Sequence, residues 1–364
     1  MISIPRRLAL AGGAALLTGS AAPSSGLHAR AARKGMFYGT AIDHAMLRDD
    51  PAYMAHVPRE CGMVVAEANF KWQHIRPAPD KFDFEAPDEL VSFAASHHLR
   101  VRGHLLVWHE ANPDWLPDAL SPSTGEAILT RHIQTVAQHF RHRLAHWDVA
   151  NEVVNPADGN PFGLRQSPWL KALGPRYLDV AFSACAATDP GALRVLNEYG
   201  TDYAVPWEEA KRGALLNLLA SLKARGVPIQ AVGLQAHLDA SQVALDQKVL
   251  HDLVTAIASM GLGIVVTELD VRDNNLPADI PSRDEAVAAH AGAWLDAVLA
   301  CPAVSGVLSW GLSDRRSWLN ENFKRADGLP QRPLPLDADL RRKKLWDAIA
   351  ASLAAAPHRV IAPG

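Results

Sequence analysis

Cysteine is scarce in this chain of 364 residues, with only Cys61, Cys185 and Cys301. They lie far apart and form no C-x-x-C or other metal spacing, which excludes a disulfide framework and a cysteine zinc site. Each sits among apolar neighbours, so three buried thiols are expected, although an exported chain could oxidise one pair. A surplus of positive charge is also missing. Lys and Arg total 36 against 39 Asp and Glu, a net charge of −3, which leaves no basic field for nucleic acid. No G-x-G-x-x-G or G-x-x-x-x-G-K follows a β-rich segment, so the usual nucleotide cradles are absent. Neither H-x-H nor H-E-x-x-H occurs.

Long apolar runs are lacking as well. The one candidate, Leu8 to Leu17 after Arg6-Arg7, is too short to span a bilayer. Small residues follow at Ser20-Ala21-Ala22, where cleavage is expected. Residues 1–29 therefore read as an export signal, and the rest as a secreted or periplasmic protein with no membrane segment. The paired arginines suit a twin-arginine route, and an ordinary Sec signal fits almost as well.

What is present is apolar bulk and tryptophan. Hydrophobic residues make up 48% of the chain, enough for a large core, and ten Trp stand against five Tyr. Indoles are good platforms for flat ligands such as sugar rings, but they are also ordinary core residues. No low-complexity linker divides residues 35–355. Eight short β-rich segments (37–43, 64–69, 100–108, 146–153, 194–199, 230–238, 263–271 and 304–311) alternate with helical ones. The helical stretches include 87–97, 124–143, 175–186, 207–225, 245–260 and 282–299. Such alternation implies parallel pairing. Eight units in one undivided stretch predict a single α/β domain of the (β/α)8 TIM-barrel class.

In a barrel of this kind the active site lies at the C-terminal strand ends. Polar residues gather there: Glu67 and Lys71 at the second segment, His104, Trp108 and His109 at the third, Asn151 and Glu152 at the fourth. Asn197 and Glu198 lie on the fifth, Gln235 and His237 on the sixth, Glu268 and Asp270 on the seventh, and Trp310 on the eighth. Glu152 and Glu268 each end an apolar run, where an acid is costly unless it is paired or used. Strands four and seven are expected to face each other across the barrel. Two glutamates at their tops could approach to the roughly 5–5.5 Å used by a retaining glycosidase. With period two, Gln235 and His237 would share one face of the sixth strand, and Glu268 and Asp270 one face of the seventh. His237 could then bridge both carboxylates. A metal held by His104, His109 and His237 is a weaker alternative, because their spacing matches no ligand motif. Trp310 and Trp318 bracket a polar loop after the last strand, a suitable sugar platform, although either could instead pack beneath the loop.

Together these stretches resemble glycoside hydrolase family 10, the endo-1,4-β-xylanases. The matching segments are Gly39-Thr40-Ala41, Glu67 to Trp72, Phe82-Asp83-Phe84, Val101 to His104 with Trp108-His109, and Trp147 to Glu152. They continue with Gly233 to His237, Thr267 to Asp270 and Trp310 to Trp318. The resemblance implies a retaining endo-1,4-β-xylanase with Glu152 as acid/base, Glu268 as nucleophile, and no cofactor or metal. It implies sugar contacts from Glu67, Lys71, His104, Trp108, Asn151, Gln235, His237, Trp310 and Trp318. His109 and Asp270 would support these groups. Xylan and xylo-oligosaccharides would be the partners of a monomer. A cellulase or mannanase on the same barrel, and an inactive xylan-binding protein, are the competing interpretations. An aldolase or isomerase lacks its phosphate loop, Schiff-base lysine or metal ligands at the strand ends.

The chain departs from the family pattern in places. Family members usually carry Asn where this chain has Ala68, and Asn69 is one residue off. The fifth strand ends Asn197-Glu198-Tyr199-Gly200 where Asn-Asp-Tyr-Asn is usual, and the usual cysteine pair is reduced to Cys301.

Overall fold

The computed structural model describes residues 25–242 and 245–359. Among them are nine strands, all separated by helices except β6 and β7: β1 (Phe37–Ile42), β2 (Met63–Ala66), β3 (Arg100–Gly103), β4 (His146–Asn151), β5 (Leu193–Glu198), β6 (Ala231–Leu234), β7 (His237–Asp239), β8 (Gly263–Arg272) and β9 (Val304–Ser309). The order runs β6-β5-β4-β3-β2-β1-β9-β8, and pairing of β6 with β8 closes the ring. Every pairing is parallel, so eight strands make a closed (β/α)8 barrel. The short β7 pairs only with the outer end of β8.

Two expectations need correction. The sixth segment is not one strand, because Ala236 takes a left-handed backbone (φ +61°) that breaks it between β6 and β7. Simple alternation therefore does not explain where Gln235 and His237 point. Strands β4 and β8 also do not stand directly opposite, since only β5 and β6 separate them around the ring. β5 and the residue that follows β6 prove to supply side chains between the two glutamates.

Alternation along the other strands sorts the core into two parts. Phe37, Ala41, Met63, Val65, Val265 and Leu308 form a small cluster with Trp310. Their sequence neighbours Tyr38, Ile42, Val64, Ala66, Ile264, Val266 and Val307 belong to the large cluster shared with the helices. The helix Gln247–Ser259 illustrates the outer layer. Leu250, Leu253, Val254 and Ile257 repeat at helical spacing and are buried. Asp246 begins it by accepting from the backbone N–H groups of Lys248 and Val249, a cap worth about 1 kcal/mol.

The fold starts earlier than residue 35. Residues 27–32 form a helix with Leu27 and Ala31 fully buried. The Leu27 N–H donates to Glu60 at 3.0 Å, and the Trp346 indole donates to the same oxygen at 2.9 Å. The end of the expected 1–29 signal thus overlaps the barrel domain. Its first 24 residues lie outside the described residues. Cys61, Cys185 and Cys301 are buried and unbridged. No helix among the described residues is long and apolar enough to cross a membrane.

Candidate active site

A cavity of about 760 Å³ opens at the C-terminal strand ends. Glu67, Lys71, His104, Trp108, His109, Asn151, Glu152, Gln235, His237, Glu268, Trp310 and Trp318 all line it. Asp270 lies just behind this wall, fully buried.

Glu152 follows the last residue of β4 with φ +55°, a left-handed conformation that is uncommon for a residue with a side chain. Its N–H donates to the Asn197 carbonyl at 2.8 Å, which ties this turn to the top of β5. Its carboxyl accepts from the Trp108 indole at 2.9 Å and from the Gln235 amide at 3.1 Å. Arg165 holds the same turn from outside. Its Nε donates to the Glu152 carbonyl at 2.8 Å and its Nη2 to the Tyr199 hydroxyl at 2.7 Å.

Glu268 is buried on β8 and its two oxygens have different partners. One accepts from Asn197 Nδ2 at 2.6 Å, and the other meets His237 Nε2 at 3.3 Å. The opposite ring nitrogen, Nδ1, lies 2.9 Å from Asp270. Trp318 donates to the second Asp270 oxygen at 2.7 Å. His237 therefore stands between two carboxylates. Burial alone would lower its pKa. The charge of Asp270 and the hydrogen bonds to Asp270 and Glu268 outweigh burial and raise it to about 10. The converse holds for Glu268. Burial pushes its carboxyl up, but the His237 hydrogen bond, the fields of His104 and His237, and the Asn197 amide bring it down to about 2. Glu268 is thus a carboxylate throughout the neutral range.

Side chains from β5 and from the residue that follows β6 bridge the glutamates. Asn197 Nδ2 donates to Asn151 Oδ1 at 2.8 Å as well as to Glu268, and Thr267 fixes the Asn197 amide by donating to its oxygen at 2.7 Å. Gln235 reaches Asn151 at 3.4 Å and Glu152 at 3.1 Å. A polar chain therefore runs from Glu152 through Gln235, Asn151 and Asn197 to Glu268. Such a network fixes the relative position of the two carboxyls, both of which line the cavity.

The remaining wall is set from below. Asp148 is fully buried and accepts from Arg102 Nε at 2.9 Å, and it lies 2.9 Å from His104 Nδ1. His104 meets the Trp310 ring edge-on at 5.3 Å. Lys71 Nζ lies 5.1 Å over the Trp108 ring. Glu67 beside it has its pKa raised by burial and by Asp43, with Lys71 opposing. Burial and then Arg165 lower the His109 pKa, with Glu152 and Glu110 opposing. No group of three His, Cys, Asp or Glu among the described residues could hold a metal ion. His104, His109 and His237 each face a carboxylate of their own.

Three residues of the site, Asn197, Asp148 and Arg165, have roles that the sequence does not assign. Asn197 is marked in the sequence as a polar residue at a strand end. Asp148 carries the same mark as Glu152, an acid inside an apolar run. Arg165 lies on a loop and had no signal.

The family model described as glycosyl hydrolase family 10 matches residues 26–352. Endo-1,4-beta-xylanase A of Phanerodontia chrysosporium is 30% identical over 91% of this chain and 78% of its own length. A protein named Exoglucanase XynX from Acetivibrio thermocellus is 31% identical over 86% of this chain, which spans only 28% of that larger protein. Among solved structures, native xylanase 10B from Thermotoga maritima superposes with a TM-score of 0.81 at 29% identity, covering 90% of this chain and 98% of that one.

Proposed function

The chain belongs to glycosyl hydrolase family 10, and on that premise we propose that it is a retaining endo-1,4-β-xylanase working by double displacement. One observation carries the assignment of roles. Glu268 is held anionic by the His237–Asp270 pair, while the Glu152 carboxyl accepts, among the described residues, from two neutral donors, the Trp108 indole and the Gln235 amide. The group held charged suits a nucleophile, and the other suits a group that gains and loses a proton.

In the first step a Glu268 oxygen attacks the anomeric carbon. The glycosidic C–O bond breaks, and the proton of Glu152 goes to the departing oxygen. The product is a glycosyl ester on Glu268, which no longer carries charge. In the second step water attacks the same carbon, Glu152 takes its proton, and the ester bond breaks to restore the Glu268 carboxylate. Asn151 is the candidate partner of the sugar 2-hydroxyl. Glu67 and Lys71 would bind hydroxyls on the non-reducing side, and Trp310 and Trp318 would flank the sugar beside Glu268. Export to the periplasm or the medium as a monomer, by way of Arg6-Arg7 and the apolar run after it, belongs to the same proposal.

The exoglucanase name of one relative keeps a glucan substrate as the second possibility. Product analysis on xylan, glucomannan and carboxymethylcellulose with one enzyme preparation separates them. Internal cleavage of xylan to short oligosaccharides, with little action on the other two, is expected. Faster release from carboxymethylcellulose than from xylan would overturn the substrate assignment.

A further inference from the structure

Trp207 is the most exposed large apolar side chain among the described residues, at 56%. An exposed aromatic on its own needs no explanation. This one lines the same cavity as Glu152 and Glu268, and its surroundings hold it in place. It lies in the first turn of the helix Pro206–Ala224. One turn later Lys211, buried, pairs with Glu198 at 2.9 Å at the end of β5 and stands 3.6 Å over the Tyr199 ring. Next to Trp207, Glu208 accepts the Tyr203 N–H at 2.7 Å, which closes the preceding loop onto the helix. A side chain carried on a helix anchored at both ends of its first turn pays little ordering entropy on binding.

The ring rests against Gly200. A Cβ at position 200 would lie 2.6 Å from Cη2 and Cζ3 of Trp207, closer than any carbon contact allows. Gly200 also has φ +65°, a conformation that glycine adopts freely and asparagine tolerates. Sequences of the resembling family usually carry Asn at this position. The smaller residue and the tryptophan therefore belong together, because the one makes space for the other. Their loop adjoins Glu152 through Tyr199 and Arg165. The loop follows β5, three strands around the ring from β2, whose end carries Glu67 and Lys71 on the proposed non-reducing side, and so it borders the leaving-group side of the cleft.

We propose that Trp207 is a stacking platform for a xylose ring on the leaving-group side of the cleft, and that Gly200 is the position that admits it. This role presupposes the xylanase activity proposed above. The chain then lacks an amide at Ala68 on the non-reducing side and gains an aromatic surface on the other. Substrate binding is weighted toward the leaving group.

The test compares wild type, Trp207→Ala, Trp207→Phe and Gly200→Asn on xylan, on xylohexaose labelled at its reducing end, and on an aryl β-xylobioside. In Trp207→Ala the ratio of kcat/KM on xylohexaose to that on the aryl glycoside should fall about 3–10-fold, the range for loss of one aromatic contact. The preferred cut should move toward the reducing end, so the labelled product becomes shorter. Gly200→Asn should give the same change by displacing the ring, and Trp207→Phe a smaller one. A merely structural role would not move the cut in that direction. An unchanged ratio and an unchanged cut in Trp207→Ala, with wild type active on xylan, would overturn the platform and leave the xylanase assignment standing. A wild type that leaves xylan intact would overturn both, before any variant is compared.

Discussion

Replacing His237 by asparagine removes the positive charge between Glu268 and Asp270 while keeping a side chain that can still donate to Glu268. In the wild type the Glu268 carboxyl lies at about 2 instead of 4.5. That drop favours the carboxylate by about 3 kcal/mol, at about 1.4 kcal/mol per pH unit. The site is buried, so loss of the cation leaves burial as the dominant influence, and burial pushes the carboxyl up. The acid limb of kcat/KM should then rise by about one to two pH units in His237→Asn. The measurement is kcat/KM for an aryl β-xylobioside across the pH range in which both proteins stay folded. Stability offers a second readout of the same contact. The Glu268 contribution is present above 4.5 and is lost as pH falls through about 2. The His237 contribution is complete below 6.5 and is lost as pH rises through about 10. Unfolding curves of wild type and variant should therefore converge above about pH 10, because the variant has no cation left to lose. If the acid limb of His237→Asn coincides with that of the wild type, His237 does not hold Glu268 charged and the electrostatic account of the nucleophile fails.

Three further substitutions probe neighbouring parts of the site. Glu152→Ala should lower xylan hydrolysis by about 10²–10⁴-fold while sparing glycosyl-enzyme formation from an aryl glycoside with a good leaving group. Stopped-flow release of the aryl alcohol should then show a burst, and equal losses on both substrates without a burst would contradict the proton-transfer role. Asn197→Ala removes the shortest hydrogen bond to Glu268 and the link to Asn151. It should cost about 1.5–3 kcal/mol, read as a fall in kcat/KM of at least about tenfold. Ala68→Asn should restore a hydrogen bond worth about 0.5–1.5 kcal/mol on the non-reducing side. It should improve kcat/KM on xylotriose more than on polymer, and no change on either would remove position 68 from the subsite.

The barrel was legible because buried parallel strands are written as apolar runs, and each run here ends in a polar residue. The two glutamates stood out for the same reason, since an acid at the end of such a run has to be paired or used. Other features depend on contacts that no local pattern encodes. The break at Ala236 is a single left-handed residue without glycine to mark it, and it decides how Gln235 and His237 enter the cavity. Arg165 acts through the Glu152 carbonyl and the Tyr199 hydroxyl, partners set by a loop. The helix at residues 27–32 continues the small-residue composition before it, and only its packing near Glu60 and Trp346 reveals that it belongs to the barrel. Gly200 was visible as a departure from the family pattern. Its meaning appears only when the Trp207 ring is found lying against it.

The central claim is that Glu268 forms a covalent bond to the sugar. Incubation with a 2-deoxy-2-fluoro-β-xylobioside bearing a good leaving group slows the second step and lets the glycosyl-enzyme accumulate. Mass spectrometry of the digested protein then locates the sugar. One difluoro-free, monofluorinated xylobiosyl adduct on the peptide containing Glu268, released over time by added xylobiose acceptor, is the predicted result. An adduct on Glu152, or prompt turnover with no adduct and inversion at the anomeric carbon, would contradict the account.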